Sequence, residues 1–204
     1  MAATDNPLST NIVDGKTLDE WFDARFEQKM LEREKAKTPM LSIMVTNGTL
    51  DWGYTTFIIA STAAALDLKV SLFFTFYGLS LLRKDFNPDI SGLGNPAMPM
   101  KMPFGPAWFR NINMNIPNLV QANVPFFEKM ATGLMKQTLK QKGVAPLADL
   151  REACCEMEVE MLACQMTVDL FGMSKDDFFD GVTAWAGAAT YIERATHADI
   201  TLYI

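Results

Sequence analysis

The chain has 204 residues, 49% of them apolar and 21% charged, with a formal net charge of −6. That length buries a full core without disulfide or metal staples, the composition is too apolar for a disordered chain, and the acidity argues against a partner recognised through its phosphate backbone. A single histidine, His197, stands against 14 Met and 14 Phe, which disfavours His-rich metal sites and makes any Ser-His-Asp arrangement depend on that one residue.

Residues 1–15 read as a tail of small polar residues with Pro7 and Gly15. Met1 to Asp14 carries acids rather than a basic region and an apolar run, so no signal peptide is expected. Thr17-Leu18-Asp19-Glu20 is a capping box, in which hydroxyl and carboxylate satisfy backbone donors reciprocally. Leu18, Phe22, Phe26 and Met30 then recur at intervals of four, an apolar stripe on a helix running to about Lys37. Thr38-Pro39 stops it. Residues 1–38 are therefore expected as a tail and amphipathic helix, and 39–204 as the main domain. A stripe of this kind predicts burial against a neighbouring subunit or the chain's own sheet.

Met40 to Thr46 reads as a buried strand, Asn47-Gly48-Thr49 as a turn, and Asp51 as the cap of a helix reaching Leu66. Leu68 to Phe76 reads as a second strand. Strand, helix and strand joined by short turns make a crossover unit, which forces the strands parallel. The charge-free runs Trp52–Leu66 and Val70–Leu82 are each shorter than the ~20 residues a bilayer requires, so they are assigned to the core and no membrane span is expected.

Gly78 to Lys84 predicts a short helix. Residues 87–118, broken by six prolines, predict a long irregular loop. Helices are expected over Pro125 to about Gln141, about Leu147 to Met157, and Gln165 to Phe171 with Gly172 as its cap. Strands are expected over Val159 to Ala163, near Val182, and over Ile200 to Ile204. Alternation of this kind predicts a layered α/β fold on a mainly parallel sheet of about five strands.

Sites in such sheets form beyond the carboxyl ends of the strands. Three segments converge there: Asn47-Gly48-Thr49 after the first strand, Tyr77-Gly78 after the second, and Cys164-Gln165 after the third. Cys164 meets the start of a helix, whose unpaired N–H groups and partial positive charge stabilise a thiolate and an anionic sulfur adduct. The bland alternative is an inert buried thiol at a strand end. Cys154 and Cys155 lie on the preceding helix, pointing about 100° apart; one of them reads as a relay or resolving thiol, or both as small packers. Three clustered cysteines do not form a disulfide framework and suggest a reducing compartment. The Met-rich stretch Gly94–Pro103 reads as an adaptable flap or docking surface rather than a copper site, since no His accompanies it. Glycine-rich phosphate fingerprints are absent.

Thr46-Asn47-Gly48-Thr49-Leu50-Asp51-Trp52, Phe73-Phe74-Thr75-Phe76-Tyr77-Gly78, Gly94-Asn95-Pro96-Ala97-Met98-Pro99-Met100 and Ala163-Cys164-Gln165-Met166-Thr167 together resemble the DsrE/DsrF-like sulfur-carrier family, in its larger DsrE2-like branch. The resemblance covers roughly Met40 to Ile204. It implies a flavodoxin-like three-layer domain, a homo-oligomer, and a cytoplasmic sulfur carrier or sulfurtransferase that needs no cofactor. It implies an acceptor cysteine at Cys164 and a second thiol at Cys154 or Cys155. It also implies partners among TusA-type sulfur carriers, rhodanese-like proteins and heterodisulfide-reductase-like complexes. The expected chemistry is attack by the Cys164 thiolate on a donor persulfide or thiosulfonate, with Gly48, Thr49, Tyr77, Gly78 and Gln165 around the adduct. No Thr-x-x-Cys pattern supports peroxide reduction. The competing expectations are a binding or scaffold subunit that docks a protein or membrane partner through the Met-rich loop, and a membrane-associated transport component.

Overall fold

The computed structural model describes residues 12–13, 16–91, 101–112 and 126–204. It divides into two units, Met1–Thr38 and Pro39–Ile204.

In the first unit, β1 (Ile12–Val13) and β2 (Lys16–Thr17) form a short antiparallel hairpin. It leads into α1 (Leu18–Ala36). The capping box forms as expected: the Glu20 N–H donates to Thr17 Oγ1, and the Thr17 N–H to Glu20 Oε2 at 3.1 Å. Phe22 and Phe26 stack with ring centroids 6.3 Å apart. They and Met30 are exposed.

The second unit is built on five parallel strands in the order β6-β5-β4-β3-β7. These are β3 (Met40–Val45), β4 (Lys69–Phe74), β5 (Glu160–Cys164), β6 (Ala184–Ala186) and β7 (Ile200–Tyr203). α2 (Leu50–Ala65) links the first two strands, and α5 (Leu147–Glu156) precedes β5. Between them lie a 3-10 segment over Phe76–Leu82, α3 (Ala107–Arg110) and α4 (Phe127–Gln141). α6 (Gln165–Leu170) follows β5, and α7 (Ala188–His197) precedes β7. This is the layered α/β class expected from the sequence.

Side chains alternate across a strand, so each strand feeds two cores. Leu41, Ile43 and Val45 of β3, Val70, Leu72 and Phe74 of β4, and Met161 and Ala163 of β5 join the larger core. α2 and α5 close it with Phe57, Ala60, Leu147 and Cys154. Phe57 and Phe74, fully buried with centroids 6.2 Å apart, are its largest members; burying each contributes about 1.5–3 kcal/mol. On the opposite face a smaller core holds Phe73, Leu162, Cys164 and Ala186 under Tyr191 of α7. Glu160 extends this face, bridged by Arg194 Nη2 at 3.0 Å and by the Ser71 hydroxyl at 2.7 Å. Those partners hold its carboxyl below the usual range. Because both faces are covered, the central strands read as continuous apolar runs.

Several local expectations need correction. Thr49, not Asp51, is the N-cap of α2, because Asp51 already sits in the first turn and its Oδ1 accepts the Ser91 N–H. The strand expected near Val182 begins at Ala184, since Thr183 spends its N–H on the Met161 carbonyl and its hydroxyl on the Met161 N–H. The residues that follow, Ala188–His197, form a helix, α7, where no element is expected above. The helix expected from Gly78 is a 3-10 segment starting at Phe76. His197 ends α7, exposed, with Nε2 4.0 Å from Glu193. Most of the Met-rich stretch, Gly94 to Met100, lies outside the described residues. Among the described residues no helix is long and apolar enough to cross a membrane.

Candidate functional site

Cys164 is the last residue of β5 and the N-cap of α6, so its thiol sits where a strand ends and a helix begins. It is only 3% exposed. Burial pushes its pKa up, yet the net displacement is downward. The Thr167 hydroxyl and N–H, the Thr75 hydroxyl and the Met166 N–H all favour the thiolate and together outweigh desolvation. As a neutral thiol Cys164 closes no side-chain cap on the helix; ionised, it is the acceptor that these donors favour.

Thr75 Oγ1 and Thr167 Oγ1 also lie 3.1 Å apart; each hydroxyl has a single proton, so their mutual hydrogen bond gives way when both donate to the thiolate. Thr75 follows β4 immediately and donates its N–H to the Val45 carbonyl. A chain of contacts thus runs from the end of β3 through Thr75 to the Cys164 helix. Thr167 is the third residue of α6, the position from which a backbone N–H reaches back to a capping group. Sequence reasoning missed both hydroxyls. The available signal was a threonine three residues after the candidate thiol, and another at the carboxyl end of the neighbouring apolar run.

Two of the loops expected to converge, the Gly48 and Tyr77-Gly78 turns, do meet. Gly78 donates its N–H to the Thr46 carbonyl at 2.9 Å, and Ser80 Oγ donates to the Tyr77 carbonyl at 2.8 Å. A Cβ on Gly48 would overlap the Tyr77 carbonyl and Ser80 Oγ, and one on Gly78 would overlap the Val45 carbonyl. Both glycines are there because two backbones touch. Thr49 Oγ1 is buried without a hydrogen-bond partner among the described residues. Tyr77 is exposed and stacks on Phe171, centroids 6.2 Å apart. Gln165 Nε2 donates to Asp169 Oδ1 at 2.7 Å, one turn down α6.

The other two thiols are elsewhere. α5 runs down to the amino end of β5, whereas Cys164 ends that strand, so about 13 Å of strand separates the two levels. Cys154 is fully buried in the larger core, its Sγ donating to the Phe57 carbonyl at 3.6 Å. Burial and the neighbouring Cys155 push it up to about 12. Cys155 is half-buried beside the Phe179–Gly181 loop. Burial raises its pKa, Arg151 opposes this, and Glu152 and Glu156 add to it. The structure does not bring either thiol to Cys164, which lies on the opposite face of the sheet.

A family model described as DsrE/DsrF/DrsH-like matches residues 37–203. The chain belongs to this family. It is 51% identical over 164 residues to the sulfur carrier protein DsrE2 of Allochromatium vinosum, covering 80% of this chain and 97% of that one. It is 29% identical over 168 residues to the uncharacterized protein YrkE of Bacillus subtilis, covering 82% and 98%. The crystal structure of the ychN protein from E. coli matches with a TM-score of 0.45 at 14% identity, over 82% of this chain and all of that one. The family assignment spans the second unit, where the candidate thiol lies.

Proposed function

We propose that this protein is a sulfur carrier whose Cys164 accepts sulfane sulfur and relays it to a partner protein. The observation that carries this reading is the downward-shifted Cys164 thiol, held by Thr167, Thr75 and the Met166 N–H at the start of α6. The 51%-identical DsrE2 sulfur carrier supports it. In the loading step the Cys164 thiolate attacks the outer sulfur of a donor persulfide. A new Cys164 S–S bond forms, the donor S–S bond breaks, and the donor departs as a thiolate, so no external oxidant is required. The perthiolate product is an anion that the same donors stabilise. Transfer onward repeats the exchange with a partner thiolate attacking the outer sulfur. TusA-type carriers, rhodanese-like proteins and heterodisulfide-reductase-like complexes are the partners proposed from the family resemblance, with the cytoplasm as the compartment. Exposed apolar residues on α7 and β7, Ile192, Ile200 and Tyr203, support a homo-oligomer.

The structure favours Cys164 over Cys154 and Cys155 as the first acceptor, because burial disfavours ionisation of both helix thiols. Intact-mass measurement after incubation with polysulfide tests the assignment. Wild type, Cys154→Ser and Cys155→Ser should each gain sulfur that peptide mapping places on Cys164. Cys164→Ser should gain none at the same rate. Undiminished loading of Cys164→Ser would overturn the assignment.

A further inference from the structure

On the α2–α5 side of the sheet, away from Cys164, a cavity of about 650 Å³ opens between α4, the amino ends of α2 and α5, and the Gly143–Pro146 connection. That is within the size range of small-molecule sites. Its floor is built from Leu50 and Leu147, 2% and 4% exposed, with Phe86 and Leu139 beside them. The charged groups of the lining are both cations, Lys136 and Lys140, one turn apart on α4. Lys136 Nζ donates to a neutral acceptor, Asn87 Oδ1, at 2.8 Å. No lining residue is acidic, and neither lysine has a carboxylate within ion-pair distance among the described residues. The nearby acid Asp149 acts on the Tyr54 hydroxyl from outside the lining.

We propose that this cavity binds a monomeric alkyl carboxylate, a fatty-acid-type amphiphile, with its chain over Leu50 and Leu147 and its head between Lys136 and Lys140. Three observations select this class. Two ammonium groups with no acidic partner suit one anionic head and repel a cationic one. The floor is apolar, and the hydroxyl that lines it is committed, Tyr54 donating to the Ala145 carbonyl at 3.0 Å. A sugar or nucleotide would therefore bury hydroxyls against a surface with little left to pair them. A peptide laid in the cavity would face the same cost at each backbone amide, whereas an alkyl chain brings none. The proposal is independent of the sulfur reading: it uses no residue of the Cys164 site.

Calorimetric titration of the full chain with octanoate, decanoate and dodecanoate, each below its micelle concentration, tests it against 1-decanol and decylammonium. The expected result is one saturable site, with affinity rising up to about fourfold per added CH2 and decanoate bound more tightly than either comparison ligand. The double variant Lys136→Gln, Lys140→Gln, which alters half-buried and exposed positions, should bind decanoate about tenfold more weakly and 1-decanol nearly unchanged. Equal affinity for decanol and decanoate, unchanged decanoate binding by the double variant, or uptake only from oleate-containing phosphatidylcholine vesicles would each overturn the proposal. So would absence of saturation by monomeric alkanoates.

Discussion

Replacing Thr167 by Val removes one hydroxyl from the Cys164 thiol and keeps the volume of a residue that is 1% exposed. A hydrogen bond to a charged group contributes about 1.5–3 kcal/mol. Because Thr75 and two backbone N–H groups still face the sulfur, the lower end applies, and the thiolate fraction at acid pH should fall about tenfold. A more basic thiolate is also more nucleophilic, by about threefold for such a change. The two effects leave a net loss of about threefold in alkylation rate at pH 6. Above the pKa of both proteins only the second effect survives, so there the variant should react about threefold faster. The curves of rate against pH should therefore cross. Thr167→Ser, which keeps the hydroxyl, should stay close to wild type. Iodoacetamide kinetics from pH 5 to 10 in a Cys154→Ser, Cys155→Ser background would measure this. Parallel curves with an unmoved midpoint would refute the claim that Thr167 tunes the sulfur.

Three further substitutions probe the packing. Cys154 ionises near 9.0 in water and near 12 when folded; a raised folded value gives stability that is full below the unfolded pKa and is lost as pH rises from about 9 towards 12. Urea midpoints should fall more steeply over that window in wild type than in Cys154→Ser, and equal slopes would contradict the buried-thiol account. Gly78→Ala drives a Cβ into the Val45 carbonyl and should cost about 2 kcal/mol or more, whereas Gly133→Ala in α4 meets nothing within 4 Å and should stabilise by about 0.5–1 kcal/mol. Equilibrium unfolding of both proteins checks the opposite signs.

The central elements were legible because they announce themselves within a few residues. β3 and β4 are near-continuous apolar runs, interrupted by Ser42 in one and by Lys69 and Ser71 in the other, that both faces of the sheet demand, and the capping box before α1 is a local hydrogen-bonding rule. α7 was not legible: it is only ten residues long, and its small residues around Ala188, Ala189 and Ala195 hide an amphipathic helix that packs Tyr191 on Phe73, so only the helix-forming Ala, Glu and Arg mark it. Asp51 and Thr49 are both acceptable caps, and the choice between them is made by Ser91, forty residues away. In the candidate site, the position of Cys164 between a strand and a helix was legible. Its partner Thr75 was not, because the Thr75–Thr167 contact joins residues 92 apart in the chain and depends on β4 lying next to β5. The remoteness of Cys154 and Cys155 follows from chain direction alone: a helix feeding a parallel strand ends at that strand's amino end.

The near-complete burial of Cys164 bears on the lifetime of the sulfur it is proposed to carry. A persulfide in open water meets every passing reductant, and its sulfur is lost to whichever arrives first. At 3% exposure the sulfur is screened from bulk thiols, and exchange has to wait for the rim around it to part. Met166, two residues on, is exposed, as are Tyr77 and Phe171, which stack on each other. The rate of exchange is then the product of an opening equilibrium and an intrinsic chemical step. A partner that pulls these side chains aside raises the first factor without touching the second, so cargo can be held against small thiols and still released quickly to a protein that fits.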